Sequence, residues 1–213
     1  MRESRLYKPV AEFIRTKFGC FEVFKTTGTI YGKIDVVGLR YSMGRRGGSA
    51  EVIAVEVKRG IPGLLKALGQ AVGYSVMADR CYLAVYDPSG GKIGQTEREL
   101  AAQLNLGLIS IGPAMKPEVL LSSPQHTPLK SHRLALLRSL GFIECVLCES
   151  FWPATNMVLQ GKRATILKAL QAGKGFRYSL PTLTKQRQAD SPDLRYLCGD
   201  CVAAFSGLTP QNK

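Results

Sequence analysis

The sequence predicts an α/β protein on a mixed central sheet, followed by a small second domain. Three observations carry that reading. Apolar spacing alternates between helical and strand periods as far as residue 111, all periodicity breaks at residues 122–128, and four of the six cysteines follow the break as two Cys-x-x-Cys pairs.

Residues 8–18 place Val10, Phe13, Ile14 and Phe18 on one helical face, with Pro9 suited to the first turn and Gly19 to the stop. β-Branched and aromatic runs then predict strands over Cys20 to Thr26, Ile34 to Tyr41 and Glu51 to Val57. Between the last two, Gly44-Arg45-Arg46-Gly47-Gly48 reads as a hairpin tip carrying two arginines. After Gly60 the period changes: Leu64, Leu65, Leu68, Val72 and Val76 predict one helix over roughly Pro62 to Ala78. Cys81 to Tyr86 reads as a buried strand, Gln95 to Leu104 as a helix and Gly107 to Ile111 as a further short strand. The stretch 122–130 reads as a linker, and Ser131 to Leu140 as a helix beyond it.

Composition narrows the function classes. The 213 residues carry 29 Lys+Arg against 16 Asp+Glu, a net charge of +13 that makes a polyanion the default partner. Hydrophobic residues at 45% exclude a wholly disordered chain. Neither an apolar signal-peptide core nor a run long enough to span a bilayer is present, so a soluble, cytoplasmic protein with reduced thiols is expected.

Polar residues inside the apolar strands are the most telling. Asp35 is flanked by Ile34, Val36 and Val37, while Glu56 and Lys58 lie in Val-Ile-Ala-Val-Glu-Val-Lys and, two apart, share one face. Such groups are costly among apolar neighbours unless paired or bound to a metal. Two carboxylates and a lysine suit metal-assisted phosphodiester hydrolysis: the acids hold hard divalent cations, and the lysine orients or deprotonates the attacking water. Glu and Lys two apart can also be a solvated surface pair. Glu51, on the opposite face from Glu56, and Glu22 are expected to be solvated strand residues.

Gly32-Lys33-Ile34-Asp35, Glu56-Val57-Lys58 and the order of elements over about 110 residues resemble the PD-(D/E)xK, or restriction-endonuclease-like, nuclease superfamily. Gln70 and Tyr74, one helical turn apart, look like the QxxxY motif of its RecB-type branch, and Glu12 resembles the acid that Holliday-junction resolvases carry on the first helix. The residue before Asp35 is Ile34 where the family pattern has Pro. The resemblance implies an αβββαβ core and Mg²⁺ or Mn²⁺ held by Asp35, Glu56 and the Val57 carbonyl. It further implies Lys58 as the catalytic lysine, Gln70 and Tyr74 in support, and Glu12 as an auxiliary ligand.

Cys145-Val-Leu-Cys148 and Cys198-Gly-Asp-Cys201 are two knuckles that together offer four thiolates to one Zn²⁺. Their 49-residue spacer is longer than usual, and an iron–sulfur cluster, a redox pair or inert thiols are the alternatives. Cys20 and Cys81 read as core residues. From Ser150 to Ala189 no acid occurs among seven basic residues: Lys162, Arg163, Lys168, Lys174, Arg177, Lys185 and Arg187. With Phe176 and Tyr178 interleaved, this is the composition of a phosphate-tracking, base-stacking surface, although a solvated linker face would look similar. Trp152 reads as small-domain core, and neither His126 nor His132 has ligand spacing.

The sequence therefore leads to a nuclease domain at 1–121, a linker at 122–130 and a zinc-binding, nucleic-acid-binding domain at 131–213. The expectation is a DNA endonuclease, with RNA not excluded and a homodimer able to cut both strands. A non-catalytic module that keeps the fold as a binding or assembly platform is the rival. Charge divides as +6 over residues 1–125 and +7 over 126–213, suggesting that the second part attracts phosphates and the first cuts them.

Overall fold

The computed structural model describes residues 2–29, 32–41, 50–89, 93–145, 147–162 and 194–206. The chain divides into two compact units that meet in sequence between Leu136 and Leu137. The hairpin tip with Arg45 and Arg46 lies outside the described residues, as do Arg163, Lys168, Lys174, Arg177, Lys185 and Arg187. No helix among the described residues is long and apolar enough to cross a membrane.

A six-stranded mixed sheet forms the first unit. Its strands are β1 (Glu22–Thr29), β2 (Gly32–Tyr41), β3 (Ala50–Lys58), β4 (Arg80–Tyr86), β5 (Gly107–Ile111) and β6 (Pro117–Leu121), adjacent in sequence order. β1, β2 and β3 are antiparallel neighbours, β3, β4 and β5 run parallel, and β6 returns antiparallel. The parallel pairs need crossovers. Those are supplied by α2 (Leu64–Gly73), extended by a 3-10 turn over Tyr74–Val76, and by α3 (Gln95–Gln103). A 3-10 turn at Glu3–Leu6 and helix α1 (Tyr7–Lys17) precede the sheet.

Each boundary shift from the sequence reading has a local cause. Gly63 is left-handed at φ 83°, so the crossover helix starts at Leu64 and not at Pro62. Gly19, at φ 68°, turns the chain, so Cys20 stays outside β1 and is buried beneath the sheet. The strand β6 was not expected, because five residues opening on Pro117 give too short a period to read.

Strand alternation sorts the core. Val36, Ile53, Val55, Val57, Tyr82, Ala84, Ile109 and Ile111 share one cluster with Leu6, Val10 and Ile14, so α1 covers that face. Each fully buried aliphatic of this kind stabilises the fold by about 1.5–3 kcal/mol. The helix approaches β2 closely at Gly38, where an added Cβ would lie 2.6 Å from Cys20 Sγ and 3.0 Å from Ile14 Cδ1. On the other face lie Glu56 and Lys58, together with α2, whose Leu64, Ala67, Leu68 and Ala71 are buried.

The segment expected as a linker belongs to the first unit. Ser123 Oγ accepts the Cys81 N–H at 3.0 Å, the Ser123 carbonyl accepts from Arg80, and the amides of His126 and Leu129 reach the carbonyls of Asp79 and Val76. The segment lacks periodicity because its hydrogen bonds go one by one to the strand and helix ends and form no ladder of its own. Helix α4 (Lys130–Ser139) follows, and its Arg133 reaches Asp79 at 3.2 Å.

The second unit contains a short hairpin, β7 (Phe142–Glu144) with β8 (Phe151–Pro153), and an antiparallel pair, β9 (Met157–Lys162) with β10 (Leu194–Cys198), ending in α5 (Gly199–Ser206). Its core comprises Ile143, Cys145, Tyr196, Leu197 and Cys198, with Trp152 packed against it.

Candidate functional site

Asp35 and Glu56 come together where the β2–β3 ladder ends. The last paired positions on this side are Val36 and Val55, so Asp35 and Glu56 are the next residues on their strands. Beyond them the backbone ladder is replaced by a side chain: Asp35 Oδ2 accepts the Val57 N–H at 2.9 Å. Asp35 Oδ1 accepts from the Tyr7 hydroxyl at 2.7 Å. Glu56 is buried, with Lys58 Nζ 2.9 Å from Oε1 and the Tyr74 hydroxyl 2.6 Å from Oε2. The same hydroxyl lies 2.9 Å from the Lys33 carbonyl, so one phenolic proton serves two acceptors.

Two tyrosines thus grip the two carboxylates. Tyr7 comes from the N-terminal end of α1, which covers one face of the sheet, and Tyr74 from the end of the crossover helix that covers the other. Burial and the adjacent carboxylates push both phenols well above the usual tyrosine range, so they remain donors at any physiological pH.

Burial pushes the Glu56 carboxyl up, and the Asp35 charge adds to it, while Tyr74 and Lys58 pull the other way. For Lys58, burial opposes the charge, but the carboxylates of Glu56, Glu3 and Asp35 outweigh it and hold the ammonium above the usual lysine range. Lys58 is therefore a stable cation here, suited to orienting a water or a phosphate oxygen more than to taking a proton.

Glu12 is not part of this cluster. It points to solvent with its side chain 66% exposed and pairs with Lys8 at 3.9 Å, because it sits on the helix face away from Val10 and Ile14. The acid that joins Glu56 beside Lys58 is Glu3, at 3.6 Å, from the 3-10 turn before the helix. Gln70 is exposed, one turn before Tyr74. Sequence reasoning missed Tyr7 and Glu3, since their partners are 28 and 55 positions away and no local period marks them.

Glu51 departs from its expectation as a solvated residue. Its side chain is 11% exposed and takes Arg80 at 2.6 Å and Arg40 across the strand pair. Burial alone would raise this carboxyl, but the two guanidiniums outweigh it and hold it below the usual range. Glu22 is exposed as expected.

An open cleft of about 530 Å³ begins beside Lys58, lined by Arg2, Glu3, Lys58, Arg59, Gly60 and Pro62. The two carboxylates next to it could each offer an oxygen to a hard divalent cation. Each carboxylate oxygen of Asp35 and Glu56 uses one lone pair on the bonds above and keeps another, and an added positive charge would relieve the opposition between two close acids.

Cys145, Cys148, Cys198 and Cys201 form a second candidate site, with all four sulfurs within 4.8 Å of one another. Cys148 and Cys198 are 3.8 Å apart, far beyond a disulfide and close to the ~3.8 Å edge of a tetrahedron with 2.3 Å metal–sulfur bonds. Glu149 turns the first knuckle at φ 55°, and the Cys198 N–H donates to Cys145 Sγ at 3.5 Å. Burial opposes the Cys148 thiolate, but hydrogen bonds from Ser150 and the neighbouring cysteines lower it to about 7. The four cysteines can hold a metal ion. Cys20 and Cys81, by contrast, are buried core thiols that burial pushes up to about 12.

No family model matches the chain, and no curated protein does. Among solved structures it is similar to SPO1766, a protein of unknown function from Silicibacter pomeroyi, at 21% identity over 84% of this chain and 99% of that one, with a TM-score of 0.47.

Proposed function

We propose that this chain is a Mg²⁺- or Mn²⁺-dependent DNA endonuclease of the PD-(D/E)xK type, with a zinc ion in its second unit that helps hold nucleic acid. The observation that carries it is the convergence of Asp35, Glu56 and Lys58 at one end of the sheet, with Lys58 Nζ 2.9 Å from Glu56 Oε1 and the open cleft alongside.

Asp35, Glu56 and the Val57 carbonyl would hold the divalent cation, which when bound neutralises charge on the phosphoryl oxygens and the leaving group. The protein's own contribution is positional. Tyr7 and the Val57 N–H fix the Asp35 carboxylate, Tyr74 and Lys58 fix that of Glu56, and the Lys58 ammonium offers its remaining protons to a water or a phosphate oxygen. The close spacing of the four sulfurs supports a single zinc over an iron–sulfur cluster, whose several irons need thiolates set further apart.

A non-catalytic nucleic-acid-binding or assembly module is the second reading, favoured by one observation: the carboxylate oxygens already have hydrogen-bond partners within the chain. Plasmid, linear and branched DNA, and RNA, incubated with Mg²⁺, Mn²⁺ or EDTA separate the two. EDTA-sensitive cleavage that disappears in Glu56→Ala supports the nuclease; tight salt-dependent binding without cleavage supports the module.

A further inference from the structure

The cleft beside Lys58, the residue that pairs with Glu56, is cationic. Among the described residues that line it, Arg2, Lys58 and Arg59 stand with one acid, Glu3, a formal sum of +2, and Glu3 lies 3.6 Å from Lys58. Its remaining walls, Gly60 and Pro62, add no charge.

Position gives that charge a purpose. Asp35 on β2 and Glu56 on β3 put two acids where the ladder between those strands ends, and any phosphodiester approaching them meets like charge. Cations within a Debye length, about 8–10 Å, offset such repulsion. Arg59 follows Lys58 directly in the chain as β3 ends, and Arg2 precedes the Glu3–Leu6 turn whose first residue reaches Lys58. Two separate segments thus deliver guanidiniums to one cleft. Arg is suited to this work because its planar fork grips phosphate oxygens in pairs.

We infer that this cleft is a phosphate-binding subsite of the first unit, in which Arg2 and Arg59 grip the nucleic-acid backbone phosphates next to the one presented to Lys58. The inference deepens the nuclease reading of the same site and rests on it. It also alters the division of labour suggested by the charge count: the unit that carries the acids holds the strand as well.

The test is binding by the full chain in EDTA, where cleavage does not occur, to fluorescent single-stranded and duplex 20-mers across a salt series. Each duplex phosphate contact contributes about 0.9 to the slope of log K against log salt. Arg2→Gln/Arg59→Gln should therefore weaken binding about tenfold or more at moderate salt and flatten the duplex slope by about 1.8. Arg2→Lys/Arg59→Lys should recover the slope and only part of the affinity, since the charge remains and the fork is lost. Arg15→Gln/Lys17→Gln removes the same net charge from exposed positions at the far end of α1, about 15 Å along the helix, and should change little. Thermal melts check that each variant is folded. Affinity and slope unchanged in the Arg2/Arg59 variant, an equal loss in the Arg15/Lys17 control, or no binding by the wild type would overturn the inference. If the expected pattern holds while the wild type fails to cleave with Mg²⁺ or Mn²⁺, the nuclease reading fails and the subsite stands.

Discussion

The Tyr7 hydroxyl donates to Asp35 Oδ1 at 2.7 Å, fixing a carboxylate whose other oxygen already closes the ladder to Val57. Asp35 is thus part of the sheet and part of the candidate site at once. Tyr7→Phe removes one charge-assisted hydrogen bond, worth about 1.5–3 kcal/mol, and leaves the ring in place. On the nuclease reading, cleavage should fall about tenfold and the Mn²⁺ concentration for half-maximal activity should rise. A change in the melting temperature with normal metal dependence would reduce Tyr7 to a packing residue.

Glu3 and Glu12 give opposite forecasts. Glu12→Gln disturbs only an exposed pair with Lys8, so stability should move by less than about 0.5 kcal/mol and cleavage not at all. Glu3→Gln removes a partner of Lys58 and should change the rate of cleavage several-fold. Parallel kinetics on the two variants would expose the reverse pattern, in which the first-helix acid matters after all.

The Arg40–Glu51–Arg80 triad ties stability to pH. Because the folded-state carboxyl lies below its ordinary value of 4.5, Glu51 contributes stability that is fully present above about pH 4.5 and lost as the pH falls through the folded value. Urea midpoints should be flat between pH 7 and 5 with respect to this group, and decline below. Glu51→Gln should cost about 3 kcal/mol at pH 7, since two guanidiniums lose their shared acid, and should show a shallower acid decline than the wild type.

Metal analysis of the purified chain should find one zinc, and Cys148→Ser or Cys201→Ser should lose most of it. Thiolate ligation couples metal to folding, so a strong chelator should also destabilise the second unit. Differential scanning with and without chelator reads that effect; iron in place of zinc would point to the alternative cluster.

How far the sequence carries can be seen residue by residue. The strands holding Asp35, Glu56 and Lys58 were legible because an acid inside a Val/Ile run has few benign explanations, and the first five strands of the six-stranded mixed sheet follow the predicted order of elements. Tyr7 and Glu3 were not, since each precedes the first strand and meets a partner that only chain crossing brings near. Glu51 was misjudged for a related reason: alternation tells which face a side chain takes, but not that Arg40 and Arg80 arrive on that face to permit its burial. The four cysteines were legible as a set, because Cys-x-x-Cys is a local geometry whose second half needs only one further turn.

One position with no chemistry of its own underlies much of this. At Gly38 the first helix rests almost on bare backbone, with Cys20 Sγ where a methyl group would go. A side chain there would act as a wedge, tilting α1 away from the sheet and drawing the Tyr7 phenol off Asp35, three residues along the same strand from the lesion. The alignment of the two acids is in that sense set at a distance, by an absence: the site inherits its geometry from a hydrogen atom at position 38.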